Sequence, residues 1–408
     1  MTLVLTMMVR DEADIIAATL EHHLAEGVDR ILVTDNASVD GTREILREYE
    51  AVAPVTVFDD PEHRKQQGEV VTRMARLAHT DFGADWVING DADEFLVARD
   101  ASLSLREAFE RMPRELGAFD VPVVNLVGPM ARRGSGIRRL RYRDERSAEQ
   151  LLAAGVLAHP TPNAIHVGSR DVEVAQGNHF TSIEQRGEVP QALALEVLHL
   201  PWRSIAQLER KTENMGRGYE SSPHLRPSPR HHGMRDWRRL QAGVLDDFLA
   251  LRSPTKAELA AGGFVADDGL VERLDRLVGS AVRPDLLRAS LDDAADDVLS
   301  DEEVEAKRAL ARAIRDAEEP LYRELTGLRM HADGLERARD EITAERDEEA
   351  RRRAEERVAA QALARAQAEE LDRVRAELAA VRAQLDRFEQ HGLVRAARRV
   401  RQALPRRS

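Results

Sequence analysis

Three carboxylates, Asp91, Asp93 and Glu94, fall within four positions, directly after the apolar run Trp86-Val87-Ile88-Asn89. Repulsion and desolvation make such crowding costly unless a cation or polar partner compensates. Hard carboxylate oxygens suit Mg²⁺ or Mn²⁺, and such an ion keeps positions for phosphate oxygens. The cluster therefore points to an enzyme that handles a nucleoside diphosphate. Two more polar groups, Arg10-Asp11-Glu12 and Asp35-Asn36, also close apolar runs.

The elements that must position these groups alternate in type. Strands are expected over 3–9, 30–34, 55–58 and 86–89, and helices over 14–26, 42–50 and 69–79, from apolar runs and helical spacing. Such alternation implies a mostly parallel sheet covered on both faces, with ligands beyond the carboxyl ends of its strands. The polar clusters at 10–12, 35–36 and 91–94 all fall at those ends. Phe119 to Val127 reads as a further strand and 203–218 as a helix. Pro223 to His232 reads as a loop, and 240–300 as helical and acidic with a break at Gly262-Gly263.

Length and composition set the frame. The chain has 408 residues, no Cys and a formal net charge of −13. Disulfides and thiolate catalysis are excluded, and nucleic acid is not an expected partner. No basic leader precedes the apolar N-terminus, and no run reaches the length of a membrane span. A cytoplasmic protein is expected.

The motifs resemble those of family-2-like glycosyltransferases, in the branch whose metal motif runs Asp-x-Asp-Glu-Phe. The likeness rests on Val9-Arg10-Asp11-Glu12, on Glu21 to Ile31, on Asp35 to Thr42 and on Gly90-Asp91-Ala92-Asp93-Glu94-Phe95, in that order, and covers roughly residues 1–215. It implies a GT-A fold, a nucleoside-diphosphate-sugar donor, a divalent metal (Mn²⁺ or Mg²⁺) and inversion at the anomeric carbon. By the resemblance, Asp11 and Glu12 lie beside the nucleotide, although the family commonly has Asn-Glu there. Asp35 and Asn36 contact the nucleoside, Asp91 contacts ribose or metal-bound water, and Asp93 ligates the metal. Gln66, Gln67 and Arg73 match a polar patch before the metal strand.

Later residues extend the likeness. Gly177-Asn178-His179-Phe180 and Leu198 to Ser204 resemble two further family motifs. His199 suits a third metal ligand beside Asp91 and Asp93. His179 either contacts the acceptor or caps a loop. Arg203 and Lys211, eight apart on nearly one helical face, suit neutralisation of the diphosphate leaving group. Candidate bases for the acceptor hydroxyl are Asp171, Glu173 and Glu94. Because Asp93 would serve the metal rather than the core, Asp93→Ala is expected to spare the fold.

The last quarter reads differently. Leu371, Val374, Leu378, Val381, Leu385 and Phe388 recur at 3-4-3-4-3 spacing, an a/d seam. Leu321, Leu328, Leu335 and Ile342 form an earlier ladder one residue out of phase, and 343–357 is almost wholly charged. The pattern points to a homo-oligomeric coiled coil, with a charged helix lying on the enzyme as the alternative. The basic tail after Glu389 either touches the anionic inner face of the cell membrane or is a solvated terminus.

No glycine-rich phosphate loop opens a helix, so dinucleotide oxidoreductase and P-loop readings fail. The placement of Asp91-Ala92-Asp93 away from the first strand, with Phe95 following, excludes an aspartyl phosphatase. The expected organisation is an α/β GT-A-like domain over 1–240, a helical extension over 241–320, a long helix over 321–390 and a basic tail over 391–408. The expected reaction is transfer of a sugar to a hydroxyl on a glycan, lipid-linked or cell-surface acceptor. The rival reading is a catalytically degenerate sugar- or nucleotide-binding scaffold whose coiled coil is its working part.

Overall fold

The computed structural model describes residues 1–222, 225–228, 230–262, 264–294 and 296–389. The expected loop at 223–232 and the break at Gly262-Gly263 are thus described only in part, and the basic tail lies outside the described residues. The chain divides into two compact units, Met1–Thr326 and the part from Gly327 onward.

The first unit opens with the expected alternation: β1 (Leu3–Val9), α1 (Ile16–Ala25), β2 (Arg30–Asp35), α2 (Thr42–Glu50), β3 (Val55–Asp59), α3 (Gln67–Thr80) and β4 (Trp86–Asn89). It continues with β5 (Glu94–Ala98), α4 (Leu105–Arg111), β6 (Ala118–Val121), β7 (Val123–Val127), β8 (Tyr142–Arg143), α5 (Ala148–Ala153), β9 (Asn163–Val167) and β10 (Leu195–His199). The helices α6 (Ile205–Glu220), α7 (His232–Gln241), α8 (Leu245–Arg252) and α9 (Lys256–Ala260) follow. Then come β11 (Val265–Ala266), α10 (Gly269–Leu277), α11 (Pro284–Ser290) and α12 (Asp301–Glu389). The fold is mixed α/β, as expected.

Two sheets carry the strands. One has the order β3-β2-β1-β4-β9-β6, parallel through its first four strands and antiparallel at β9 and β6. The other has the order β11-β8-β7-β10-β5, in which only β7 and β10 run parallel. The run Phe119 to Val127, expected as one strand, is split between them. Pro122 lies at the break because it has no N–H to give a ladder, and its carbonyl accepts from Val197 N at 2.9 Å.

Apolar runs buried on both faces account for β1, β2 and β4. Trp86, Phe109 and Phe119 meet with ring centroids 5.5–6.3 Å apart. The same core takes in Leu270, Leu274, Leu287 and Leu291. Residues 241–320 therefore fold within the first unit instead of forming a separate extension. The Glu21 carboxylate fastens them further, accepting from Val282 N at 2.9 Å and Arg283 N at 2.6 Å.

The segment 90–94 joins the two sheets, and α1 clamps it. Thr19 Oγ1 donates to the Ala92 carbonyl at 2.5 Å, and His22 Nε2 donates to the Leu96 carbonyl at 2.8 Å. His23 Nδ1 donates to the Thr19 carbonyl at 2.8 Å, and its Nε2 accepts from Leu96 N at 3.4 Å. Both imidazoles are buried. Burial, the largest cause in each case, lowers His22 to about 4 and His23 to about 3. The unfolded chain takes up these protons near pH 6.5 and the fold does not, so the stability they contribute is present above 6.5 and lost as pH falls. Urea unfolding at pH 7 and pH 5 checks this. His23→Gln is expected to lose less stability over that interval than the parent chain, and an equal loss would overturn the assignment.

Candidate active site

Asp93 is 1% exposed and sits where β4 hands the chain to β5. Its carbonyl accepts from Leu200 N at 2.9 Å, which ties it to the end of β10. One carboxylate oxygen, Oδ2, gathers Lys211 Nζ at 2.6 Å, Arg203 Nη1 at 3.3 Å and His199 Nε2 at 3.6 Å. Burial opposes ionisation of Asp93, but Lys211, His199 and Arg203 together hold it well below the ordinary carboxylate range. In return Asp93 and Glu12 raise Lys211 against the effect of burial.

Arg203 is fully buried and ion-paired to three acids, Glu12, Asp14 and Asp93. It precedes α6, whose N-cap is Ser204, so it shares no helical face with Lys211. The two cations meet on one carboxylate because the chain turns between them. The expectation that Arg203 meets a leaving group is corrected: its guanidinium is spent on balancing acids inside the fold. Burial, ahead of the other causes, pushes Glu12 up to about 7 despite the Arg203 partner.

Asp91, like Glu94, is half-buried. Its Oδ1 accepts from Gln67 Nε2 at 2.9 Å and Asn178 Nδ2 at 3.1 Å, and no protein donor reaches its Oδ2 among the described residues. Asn178 is presented by a turn in which it takes φ 63° after Gly177 at φ 86°. Burial, then the charge of Asp93, raises Asp91 above its usual value. Glu94 rises further, through burial and the charges of Asp91 and Asp93. Its Oε2 accepts from Asp91 N at 3.1 Å and Asn163 Nδ2 at 2.7 Å, so it braces the turn.

A cleft of about 190 Å³ opens beside this cluster at the carboxyl ends of β1, β2 and β4. Glu12, Asn36, Gln66, Gln67, Asp91, Asp93 and Lys211 line it, as the sequence led one to expect of a common site. Arg10, named in the sequence only as part of the polar cluster 10–12, lines it too, as do His63, Arg64, Lys65 and Asn214, which sequence reasoning passed over. Lys65 is the notable omission. It follows β3 in a stretch with no apolar period, so no pattern placed it near Asp91. Its Nζ lies 5.0 Å from the Tyr219 ring centroid, and among the described residues no carboxylate stands within ion-pair distance of it. Burial lowers its proton affinity.

The remaining candidates lie elsewhere. Asp171 and Glu173 are exposed and do not line the cleft. Glu173 faces Arg76 at 3.9 Å. Arg73 is exposed on α3. Asp11, with φ 57°, and Asp35 are buried structural ties. Asp11 accepts from Val39 N at 2.8 Å and Asn214 Nδ2 at 2.8 Å, and Asp35 accepts from Arg43 Nη1 at 3.2 Å. Asn36 reaches the cleft but spends its amide on the carbonyls of Asp60 and Glu62, at 3.1 and 2.7 Å. His179 donates to the Pro162 carbonyl at 3.2 Å, which fits a loop cap. His199 is fixed through Nδ1 to Asn125 Oδ1 at 2.9 Å.

The expected metal triad of Asp91, Asp93 and His199 is not assembled. Among the described residues no group of three or more His, Asp or Glu side chains stands ready to hold an ion. The Asp93 oxygen nearest His199 already carries the Lys211 ammonium, and a metal there would meet that charge. The residues as arranged do not fit the ion, and nothing below depends on one.

The chain is similar in part to known proteins. Residues 4–117 match the model of glycosyltransferase family 92. The matching family is thus 92, where the motifs had pointed to a family-2-like branch. No curated protein matches the chain. Among solved structures, S. aureus TarS 1-349 in complex with UDP-GlcNAc is similar at 11% identity and TM-score 0.31, over 78% of this chain and 92% of that one. HddC from Yersinia pseudotuberculosis is similar at 13% identity and TM-score 0.22, over 49% of this chain and 77% of that one.

Three outcomes follow from this geometry. Arg203→Met leaves the half-buried Glu12 and Asp14 without their cation and Asp93 with Lys211 alone among the strong cations, and is expected to destabilise the fold by about 3 kcal/mol, read by urea unfolding. Asp93→Ala should also destabilise the fold, by leaving Lys211 without a carboxylate and Arg203 with only Glu12 and Asp14, against the expectation that it spares the fold. Mn²⁺ alone is expected to leave the melting temperature of the ligand-free protein unchanged, because no donor set awaits it. A rise of several degrees would show that Lys211 yields Asp93 to the ion.

Proposed function

We propose that this protein is a glycosyltransferase that takes a nucleoside-diphosphate sugar in the cleft at the ends of β1, β2 and β4 and passes the sugar to an acceptor hydroxyl. The observation that carries the reading is the pairing, in one cleft, of the cations Lys211 and Lys65 with the unpartnered oxygen of Asp91. The family-92 match over residues 4–117 supports the same class of reaction.

Glycosyl transfer passes through an oxocarbenium-like state. The bond from the anomeric carbon to the donor phosphate breaks as the acceptor oxygen bonds to that carbon. Two charges must be managed. The departing diphosphate gains negative charge, and the acceptor hydroxyl loses its proton. Lys211 and Lys65 meet the first need. Lys65 suits it because it is half-buried with no carboxylate beside it, so a diphosphate would relieve its desolvation. Asp91 meets the second. Of the acids lining the cleft, Asp93 is held low by its cations and Glu12 is tied to Arg203, which leaves Asp91 with raised proton affinity and one open oxygen. A single displacement of this kind inverts the anomeric carbon.

A thermal-shift screen of nucleoside diphosphates, followed by hydrolysis of the matching sugar donors, tests the reading. Binding with no turnover of any donor would favour the non-catalytic scaffold. Lys65→Met is expected to cut turnover about a hundredfold with little change in melting temperature. Asp91→Asn is expected to cut kcat by at least as much while the diphosphate still raises the melting temperature. Loss of that thermal shift would reassign Asp91 to the nucleotide.

A further inference from the structure

The strongest unabsorbed feature is the seam on α12 beyond Gly327. Leu371, Val374, Leu378, Val381 and Leu385 are between 48% and 60% exposed, and among the described residues nothing covers them. Their 3-4 spacing places the leucines at a and the valines at d, the pattern by which helices bury a stripe against one another. The flanking positions then follow. Position g holds Glu370 and Glu377, and position e holds Arg375 and Arg382.

These flanks say what covers the seam. In a parallel, in-register pair, each g residue faces the e residue five positions later on the other helix. Glu370 would face Arg375 of a second copy, and Glu377 would face Arg382, so both contacts on each side join opposite charges. In an antiparallel pair, g faces g and e faces e, which sets Glu against Glu and Arg against Arg. Within the chain Glu370 pairs with Arg373 at 2.6 Å and Arg375 with Asp372 at 3.4 Å, both in exposed positions where such pairs contribute little. Glu377 and Arg382 have no partner within the chain among the described residues.

We propose that copies of this chain associate through residues 370–385 as a parallel, in-register coiled coil. The seam is closed by the identical stripe of another copy, and the glutamate and arginine rows select the direction. This inference does not rest on the glycosyl-transfer reading and can fail separately from it.

The chain has no Cys, so single thiols report cleanly. Leu371→Cys and Leu385→Cys place one thiol near each end of the seam in the full-length protein, and Ala383→Cys places one on the outward f position. Under mild oxidation each seam variant is expected to cross-link to itself, and Ala383→Cys is not. Light scattering on the parent should give a mass of at least two chains. Glu377→Arg should raise the concentration at half-association at least tenfold, and adding Arg382→Glu should restore it. A monomeric mass at micromolar concentration would overturn the association. Cross-linking of a mixture of Val374→Cys and Leu385→Cys chains, with neither linking to itself, would overturn the parallel direction.

Discussion

A single buried carboxylate holds the site together. Asp93 stands at the junction of the two sheets, and its charge is tolerable there only because Lys211 and Arg203 reach it from beyond the end of β10. An ion in so dry a place costs several kcal/mol unless it is paired and hydrogen-bonded. The arrangement therefore fixes more than one side chain. It sets where α6 begins, keeps Glu12 and Asp14 near the tip of β1 and leaves Asp91 as the acid with an oxygen to spare. The cleft takes its character from this balance and from what stands outside it: the Lys211 ammonium held on Asp93, one open oxygen of Asp91 and the ammonium of Lys65.

Much of the first sheet was legible in the sequence. β1, α2 and β4 fall where apolar runs and turn residues placed them, because buried parallel strands and amphipathic helices write strong local patterns. The second sheet was not. Its pairings join β5 to β10 and β7 to β10 across long separations, and no local period announces which strands meet. Pro122 was visible in the sequence, but that it divides two sheets depends on partners far along the chain. The segment 241–320 read as a helical extension, and only packing shows that its leucines complete the first core.

The site was legible in part. The acids at 91, 93 and 94 were found because three carboxylates in four positions are improbable as plain turn chemistry. What they do was less legible. Whether a crowded acid serves a metal or an internal cation turns on which side chains return from a hundred residues away. Arg203 read as a ligand-facing cation from residue type and spacing, yet it is entirely buried. Asp11 and Asp35 read as nucleotide contacts through the family resemblance, and in the fold their carboxylates tie loops. Lys65 was missed because a lone lysine in an irregular stretch carries no pattern at all.

The pairing of β10 with β5 has a consequence for the order in which this chain matures on the ribosome. Arg203 lies 110 residues and Lys211 118 residues beyond Asp93. Until both have left the exit tunnel, the first four parallel strands can gather, but the acid at their edge has no counter-ion. Segments emerge N-terminal first and long-range pairings close late. The cleft thus takes its shape only once α6 has emerged, and the core behind it closes later still, when the leucines of α10 and α11 arrive; a nascent chain that stalls before α6 presents a half-built sheet with an exposed edge.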